Sequence, residues 1–344
     1  MGLRDYIVTR LILTLPMIMI LLTIVFIIIR VIPGNPVLLK FEKNTDPVLI
    51  AEYTHTLGLD KPVYQQYFEY LGGLLQGNLG LSMITFEPVT GQIAARFPAT
   101  LELTFYSFIV AVVTGIVLGS LGARKKGSVV DGTVKVTGIL LYAFPVFFLG
   151  MIMQLIFGIY LHWLPTGGRL CPGCAVPGGL SIGSFHLQTG IYTLDSILAL
   201  NPGELLDSAA HLVLPSFALG LVISGVFIRI TRTNMMETLR ADYVTAAKAR
   251  GLKGSTVIYG YALRNALLPV VTVMGLQFAL LLSGAILTET EFNIDGLGRY
   301  LVDRVSFLDY TAIQGAVVFL AIIISIVALL VDVLYAYIDP RVRL

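Results

Sequence analysis

The feature that most constrains this 344-residue chain is the run from Leu11 to Ile29, which contains no charged side chain. At a rise of 1.5 Å per residue, a helix of this length crosses a hydrocarbon core of about 30 Å. Mean hydropathy is +0.85, and only 13% of the residues are charged, which excludes an ordinary soluble domain. We expect an all-α integral membrane protein with six transmembrane helices, over 11–29, 99–122, 134–160, 212–230, 266–287 and 312–337.

Positive charge is distributed unevenly along the chain. Most Lys and Arg residues lie at the N-terminus, in Arg124–Lys126, in the loop 231–265 and in the C-terminal tail. Because short loops rich in Lys and Arg stay in the cytoplasm, both termini are predicted to be cytoplasmic. We expect a multi-pass protein of the plasma or inner membrane, with a single transmembrane domain over 1–344. The predicted outer segments, which are neutral to acidic, are 31–98, 161–211 and 288–311.

The sequence lacks the motifs of a self-sufficient enzyme. Lys253–Thr256 has the letters of a phosphate-binding loop in the wrong order, so the chain is not expected to hydrolyse ATP alone. The four histidines form no H-E-x-x-H pair, and a net charge of +2 gives no case for a nucleic-acid partner. We therefore expect a non-catalytic protein with no cofactor or metal of its own.

One polar, basic stretch, Ala241–Pro269, separates the fourth and fifth apolar runs. Asp242 is placed to cap the first turn of a short helix, and Gly251 to end that helix in a left-handed conformation. Ser255 or Thr256 can cap a second helix that leads towards the next span. The pattern predicts two short helices rather than a solvated linker.

This stretch carries a family resemblance. Thr245-Ala246-Ala247 with Gly251, followed by Leu268-Pro269, resembles the cytoplasmic EAA loop of ABC importer permeases. The dipeptide and oligopeptide subfamily is similar to DYVTAAKARGL with ALRNALLPVVT, to RDYIVTRLILTLPMI with RVIPGNPV, to LGLDKPVYQQYFEYLGGLLQGNLG, to FPATLELTF, to ETEFNIDGLGRYLVDRV and to LLVDVLYAYIDPRVR, together nearly the whole chain. The glutamate that names the motif is Thr245 here, and the interval from Gly251 to Leu268 is longer than in the general form. The peptide subfamily shares both departures.

The resemblance implies a type I ABC importer permease that forms half of a path for di- or oligopeptides. Its implied partners are a second homologous permease in a heterodimer, two cytoplasmic ATPase subunits that use ATP and Mg, an external substrate-binding protein and membrane lipid. The small alanines would let this helix pack closely in a groove of an ATPase subunit, and its basic residues could pair with acidic groups around that groove. The alternative is a plain cytoplasmic hairpin. The implied ATPase-docking residues of this coupling helix are Asp242, Tyr243, Thr245, Ala246, Ala247, Lys248, Ala249, Arg250, Gly251, Leu252 and Lys253.

Cys171 and Cys174 are the two cysteines of the chain and lie in one predicted outer loop. Because oxidation is permitted on that side, a local disulfide that closes a tight turn is the favoured interpretation. Free thiols or a metal site are alternatives. Zinc would need two further ligands, and only His162 and His186 are near in sequence.

Polar residues inside the predicted spans are candidates for a path that hydrogen-bonds peptide groups. Hydrogen bonds between helices are the alternative for each of them. Glu102 and Asp332 lie at span ends, where a structural role competes with gating. The candidate path residues are Gln154, Ser224, Gln277, Ser283 and Gln314.

Other interpretations remain at this point. Within the importer class, the cargo could be an oligosaccharide or a nickel chelate, because no residue set decides among them. From another class, an independent secondary carrier or channel would need no ATPase, although two ionisable residues within spans are few for a proton-driven carrier. A membrane enzyme is the third alternative.

Overall fold

A computed structural model describes residues 3–31, 47–56, 58, 60–182 and 185–338. The regular secondary structure of this part of the chain consists of helices and one antiparallel hairpin, in which Leu180 lies opposite Leu187. Both chain ends, on which the predicted sidedness of the termini depends, lie outside it. In chain order the elements are α1 (Leu3–Val31), α2 (Pro47–Thr56), α3 (Val63–Leu75), α4 (Val89–Arg124), α5 (Val129–Ala143), α6 (Val146–Met153, continued by π-helical Gln154–Tyr160), β1 (Leu180–Ile182), β2 (Phe185–Leu187), α7 (Tyr192–Leu198), α8 (Pro202–Thr238), α9 (Asp242–Ala249), α10 (Arg264–Gly284, preceded by π-helical Thr256–Leu263), α11 (Ile286–Glu291), α12 (Leu297–Ser306) and α13 (Tyr310–Ile338).

Within these residues, five helices are long and apolar enough to cross a membrane, and a bent pair makes a sixth if it counts as one span. Helices α1, α4, α8 and α13 contain four of the predicted spans. Helices α4 and α8 have 36 and 37 residues, so each extends about 54 Å, well beyond the hydrocarbon core. The fifth predicted span has shifted bounds, because its helix begins in the π-helical segment and ends at Gly284.

The predicted third span over 134–160 is broken within its length. Helices α5 and α6 meet at an angle of 102°. Pro145 lacks an amide hydrogen and disfavours helical backbone at the preceding residue, so Phe144 is extended, with φ −71° and ψ 132°. The continuous apolar composition concealed this break.

Helices α4 and α8 form the centre of the bundle and approach closely at glycines. A Cβ atom added to Gly115 would lie 2.2 Å from Cβ of Phe227, and one added to Gly119 would lie 2.8 Å from Cβ of Thr231. Small residues four apart on one helix face are a common device for close helix contacts in membranes. The two long helices therefore connect the two ends of the bundle, and the end formed by the described parts of the predicted outer segments 31–98, 161–211 and 288–311 is called the outer layer below.

Buried polar contacts organise the outer layer. Glu102 accepts hydrogen bonds from Arg169 at 2.6 Å and from the amide and hydroxyl of Thr193 at 2.8 and 2.7 Å. Thr100 donates to Glu289 at 2.6 Å. These bonds join α4 to the 161–211 segment and to α11, so the outer segments cap the helix bundle.

Candidate functional site

Helix α9, Asp242–Ala249, lies where the sequence predicts a short helix between Asp242 and Gly251, but its start differs in detail. The residue before the helix is Ala241, with φ −69° and ψ 147°, and Asp242 is the first helical residue. The predicted side-chain cap by Asp242 is therefore wrong, although its charge still lies in the positive first turn of the helix dipole. At the other end Gly251 has φ +72°, a left-handed conformation that glycine adopts without steric cost.

The predicted cap of the next helix is also wrong. Ser255 has helical backbone angles, φ −64° and ψ −40°, and its side chain caps no amide of that helix. The segment Thr256–Leu263 is π-helical and leads directly into α10, with Val257 and Ala262 buried. The helical backbone begins at Gly254, so Ser255 and Thr256 lie inside the helix and neither is its cap.

One face of α9 is buried in the protein. Val244 is 0% exposed and Ala247 is 4% exposed. Both belong to a cluster with Ala123 at the end of α4, Met235 near the end of α8, and Val257, Ala262 and Ala266 in the next helix. Ala247, predicted as a docking residue, thus lies on the inner face, and Val244, which the sequence analysis omitted, is its partner there.

The opposite face of α9 and the turn after it are exposed. Leu252 is half-buried beside this face. Lys248 and Leu252 also line a cavity of about 290 Å³, together with Arg124 and Leu239. The helix and the turn after it therefore offer one acidic and three basic side chains on one exposed face. Its exposed members are Asp242, Tyr243, Thr245, Ala246, Lys248, Ala249, Arg250, Gly251 and Lys253.

A buried ion pair braces the same end of the bundle. Arg232 of α8 donates two hydrogen bonds to Asp131 of α5, at 2.6 and 3.1 Å, and Lys135 lies 3.2 Å from the same carboxylate. The backbone amide of Gly127 donates to it at 3.0 Å. This network fixes α5 against the part of α8 that leads into α9.

The candidate path residues that the structure describes have different surroundings. Gln154 donates to the carbonyls of Thr166 and Glu291, and buried Ser224 donates to its own helix at 2.6 Å. Gln277 is half-buried, and Gln314 lines an outer cavity of about 360 Å³ beside α3. The side chain of Ser283 lies outside the described residues.

The two ionisable residues predicted at span ends are Glu102 and Asp332. Glu102 is buried and makes the outer hydrogen bonds described above, which is a structural role. The side chain of Asp332 lies outside the described residues.

The cysteines form a disulfide, with Cα atoms 5.4 Å apart. A carboxylate oxygen of Asp207 and the two sulfur atoms all lie within 4.8 Å of one another. His162 and His186, the sequence candidates for further ligands, are not part of this group. Asp207 was missed because it follows the pair by more than 30 residues, and only the packing of the outer loop on α8 brings them together.

Sequence comparison identifies the family. The profile described as "Binding-protein-dependent transport system inner membrane component" matches residues 115–344, and the N-terminal profile of the same component matches residues 3–104. The chain belongs to this family. It is thus a multi-pass, inner-membrane permease of the ABC importer class, as the sequence resemblance implied.

The similarity to known proteins covers nearly the whole chain. The di/tripeptide transport system permease protein of Pseudomonas aeruginosa is 40% identical over 340 residues, 98% of each chain. The dipeptide transport system permease protein of Escherichia coli K12 is 39% identical over the same coverage. The glutathione transport system permease protein of Pectobacterium atrosepticum is 36% identical, over 98% of this chain and 99% of its own.

Among solved structures, the crystal structure of an amino acid ABC transporter with histidines matches 73% of this chain and 94% of its own. Its TM-score is 0.44 at 12% identity. This likeness is too weak to support an argument about the site.

Proposed function

We propose that the exposed face of α9 is the surface on which a cytoplasmic ATPase subunit docks, and that the chain is the permease half of a peptide importer. The observation that carries this proposal is the division of α9 into two faces. Val244 and Ala247 pack it against the ends of α4, α8 and α10, whereas Lys248 and Arg250 remain exposed. A helix held in this way can receive a partner without being a loose loop.

The packing of α9 also supports a route by which its displacement could reach the rest of the bundle. Close-packed interiors have few voids, so displacement of α9 must move its neighbours instead of being absorbed. Met235 lies on α8, which extends from the outer segment to the α9 end of the bundle. ATP-driven closure of two ATPase subunits would bring two such helices together and open the path outward, and hydrolysis would reset it. ATP and Mg belong to those subunits, and this chain supplies no group for the hydrolysis.

The chain would pair with a second, homologous permease, and an external substrate-binding protein would deliver the cargo. Three similar proteins are named for dipeptide, di/tripeptide and glutathione transport, which supports a short peptide as cargo. Gln277 and Gln314 remain candidates for the path, because within the described residues no hydrogen bond joins either side chain to its own helix backbone, in contrast to Ser224.

The docking face is tested by adding negative charge to it. Ala246→Asp and Lys248→Glu change exposed residues, so the permease should insert and fold normally. Both should reduce co-purification of the ATPase subunits and substrate-stimulated hydrolysis at least tenfold, because the face loses positive charge: one acid and three bases give a net charge of +2, which becomes +1 in Ala246→Asp and 0 in Lys248→Glu. Ser306→Asp, at an exposed outer position, is the matched control. Wild-type association and hydrolysis in both α9 variants would contradict the docking proposal.

The cargo and the importer class are tested in proteoliposomes. The assembled complex with its binding protein and ATP should take up a labelled dipeptide, whereas the chain alone should take up none. Transport by the chain alone would favour a secondary carrier or channel. Uptake of an oligosaccharide or nickel chelate in place of peptides would overturn the cargo.

A further inference from the structure

A groove runs between α5 and α8 towards the end of the bundle that carries α9. It forms a cavity of about 430 Å³. Gly138 and Gly225 line it where the two helix backbones come close, since a Cβ atom added to Gly225 would lie 2.6 Å from the carbonyl oxygen of Gly138. The larger side chains that line this groove are Lys135, Ile139, Tyr142, Val226, Arg229 and Arg232.

The charged side chains of the groove all lie at one end, which is called its mouth below. Lys135 and Arg232 both contact the carboxylate of Asp131, and Arg229 lies about one helical turn from Arg232 on the same side of α8. Tyr142 follows Lys135 by seven residues and therefore lies about 10 Å further along α5. The groove is cationic at its mouth and apolar beyond it.

The mouth carries a net positive charge. Lys135, Arg229 and Arg232 contribute three positive charges, and Asp131 contributes one negative charge, so the sum is +2. Arg229 is exposed and, within the described residues, makes no hydrogen bond or ion pair. Its guanidinium is therefore available to an anion that enters the groove.

This arrangement fits an amphiphile with an anionic head. The apolar part of the groove lies within the predicted spans, and Ile139 and Tyr142 are exposed there, so that lipid can reach them. The mouth lies at the predicted cytoplasmic end, and basic pockets between transmembrane helices on that side recognise anionic headgroups. We propose that one anionic phospholipid binds in this groove, with its phosphate at Arg229 and Lys135 and an acyl chain along Ile139 and Tyr142.

A peptide suits the groove less well than a lipid. Peptide N–H and C=O groups that leave water need hydrogen-bond partners, and beyond the mouth the lining side chains offer only the hydroxyl of Tyr142. Among the described residues that line the cavity there is no carboxylate to pair with the ammonium group of a peptide. A phospholipid needs polar contacts only at its head. The site is also separate from the docking face of α9 and does not depend on it.

The test measures lipid binding to the full-length chain in detergent by native mass spectrometry. Phosphatidylglycerol is the anionic probe, and phosphatidylcholine with the same acyl chains is the neutral one. One phosphatidylglycerol should bind about tenfold more tightly than phosphatidylcholine, because the net positive charge attracts the anionic head. Inorganic phosphate at the same concentration should not displace it. Displacement by inorganic phosphate would overturn the lipid assignment, since the apolar groove would then contribute nothing.

A matched pair of variants locates the headgroup. Arg229→Gln should weaken phosphatidylglycerol binding about fivefold and leave phosphatidylcholine binding unchanged. It breaks no contact within the described chain, so thermal unfolding in lipid-free detergent should match the wild type. Arg240→Gln removes the same charge from an exposed residue just after α8 and outside the cavity, and it should change neither affinity. Equal effects of the two variants, or equal binding of the two lipids, would overturn the proposal.

The assembled complex shows whether the groove stays open to lipid. The chain purified with the second permease and the ATPase subunits should retain phosphatidylglycerol, and Arg229→Gln should reduce the amount retained. Loss of the lipid on assembly would assign this face to the contact with the second permease and would overturn the lipid site.

Discussion

The outer layer and the exposed face of α9 differ in the exposure of their charged side chains. In the outer layer, Glu102 and Arg169 have side chains only 1% and 12% exposed, and the guanidinium also lies 3.5 Å from the ring of Tyr192. On α9, Lys248 and Arg250 are exposed. Buried charges that lose a partner become very costly, whereas exposed charges cost little and stay available. The outer layer therefore maintains shape, and α9 presents charge to a partner.

The largest effect should come from breaking the outer ion pair. Arg169→Ala leaves the Glu102 carboxylate buried with only Thr193 as donor, which should destabilise the fold by about 3–5 kcal/mol. Thermal unfolding in detergent measures this loss. The double variant Glu102→Gln with Arg169→Met should recover much of it, because no unpaired charge remains. A single variant as stable as the wild type would contradict the structural role of the pair.

A smaller effect should separate the two faces of α9. Val244→Ala removes two methyl groups from a fully buried position and should cost about 2 kcal/mol. Thr245→Ala, one residue away on the exposed face, should change stability by less than about 0.5 kcal/mol. Denaturant unfolding of both variants in the same detergent provides the comparison. Equal effects would mean that α9 is not seated through Val244.

Substitution of Gly251, where the chain leaves α9, should have a smaller effect again on stability. Gly251 has φ +72°, so Gly251→Ala forces a Cβ into the left-handed region at a cost of about 1 kcal/mol. No atom of the described chain lies within 4 Å of the added Cβ, so backbone strain is the whole effect. Gly251→Asn should cost less, since asparagine tolerates this region better. Thermal unfolding that ranks alanine above asparagine would contradict this explanation.

The sequence predicted what depends on local pattern. Uninterrupted apolar composition located the spans, and the turn chemistry of Gly251 located the end of α9. The same composition concealed the bend at Pro145, because an apolar run looks alike whether its helix is straight or broken. Ala247 gave no signal of its inward direction, since an alanine-rich helix has little contrast between its faces.

Contacts between distant segments could not be predicted in this way. Arg169 follows Glu102 by 67 residues, and no motif links them. The same holds for Asp207 and the cysteine pair. Such pairings arise when outer segments fold over the bundle, and they require the tertiary structure. The outer layer, where most of these contacts lie, was accordingly the least predictable region.

One carboxylate of the outer layer is an exception to this pairing of buried acids with hydrogen-bond donors. Glu291, at the end of α11, has both carboxylate oxygens buried beside Gly150 and without a hydrogen-bond partner in the described chain, in contrast to Glu289, which accepts from Thr100. Burial raises the pKa of the Glu291 carboxyl from its ordinary 4.5 to about 7. Since the fold favours the protonated form, its contribution to stability is full below about pH 4.5 and is lost as pH rises through about 7.

Glu291→Gln tests this exception. An amide cannot ionise, so the variant should lose the part of the fall in unfolding temperature between about pH 5 and 8 that this carboxyl causes. The effect is confined to the pH range that the two pKa values bound, so the unfolding temperatures of the variant and the wild type should agree near pH 4 and diverge as the pH rises. Glu87→Gln, at an exposed outer acid, should leave the pH profile unchanged. A Glu291→Gln profile that matches the wild type would contradict the raised pKa of Glu291. It would mean that the carboxylate finds a hydrogen-bond donor once it ionises.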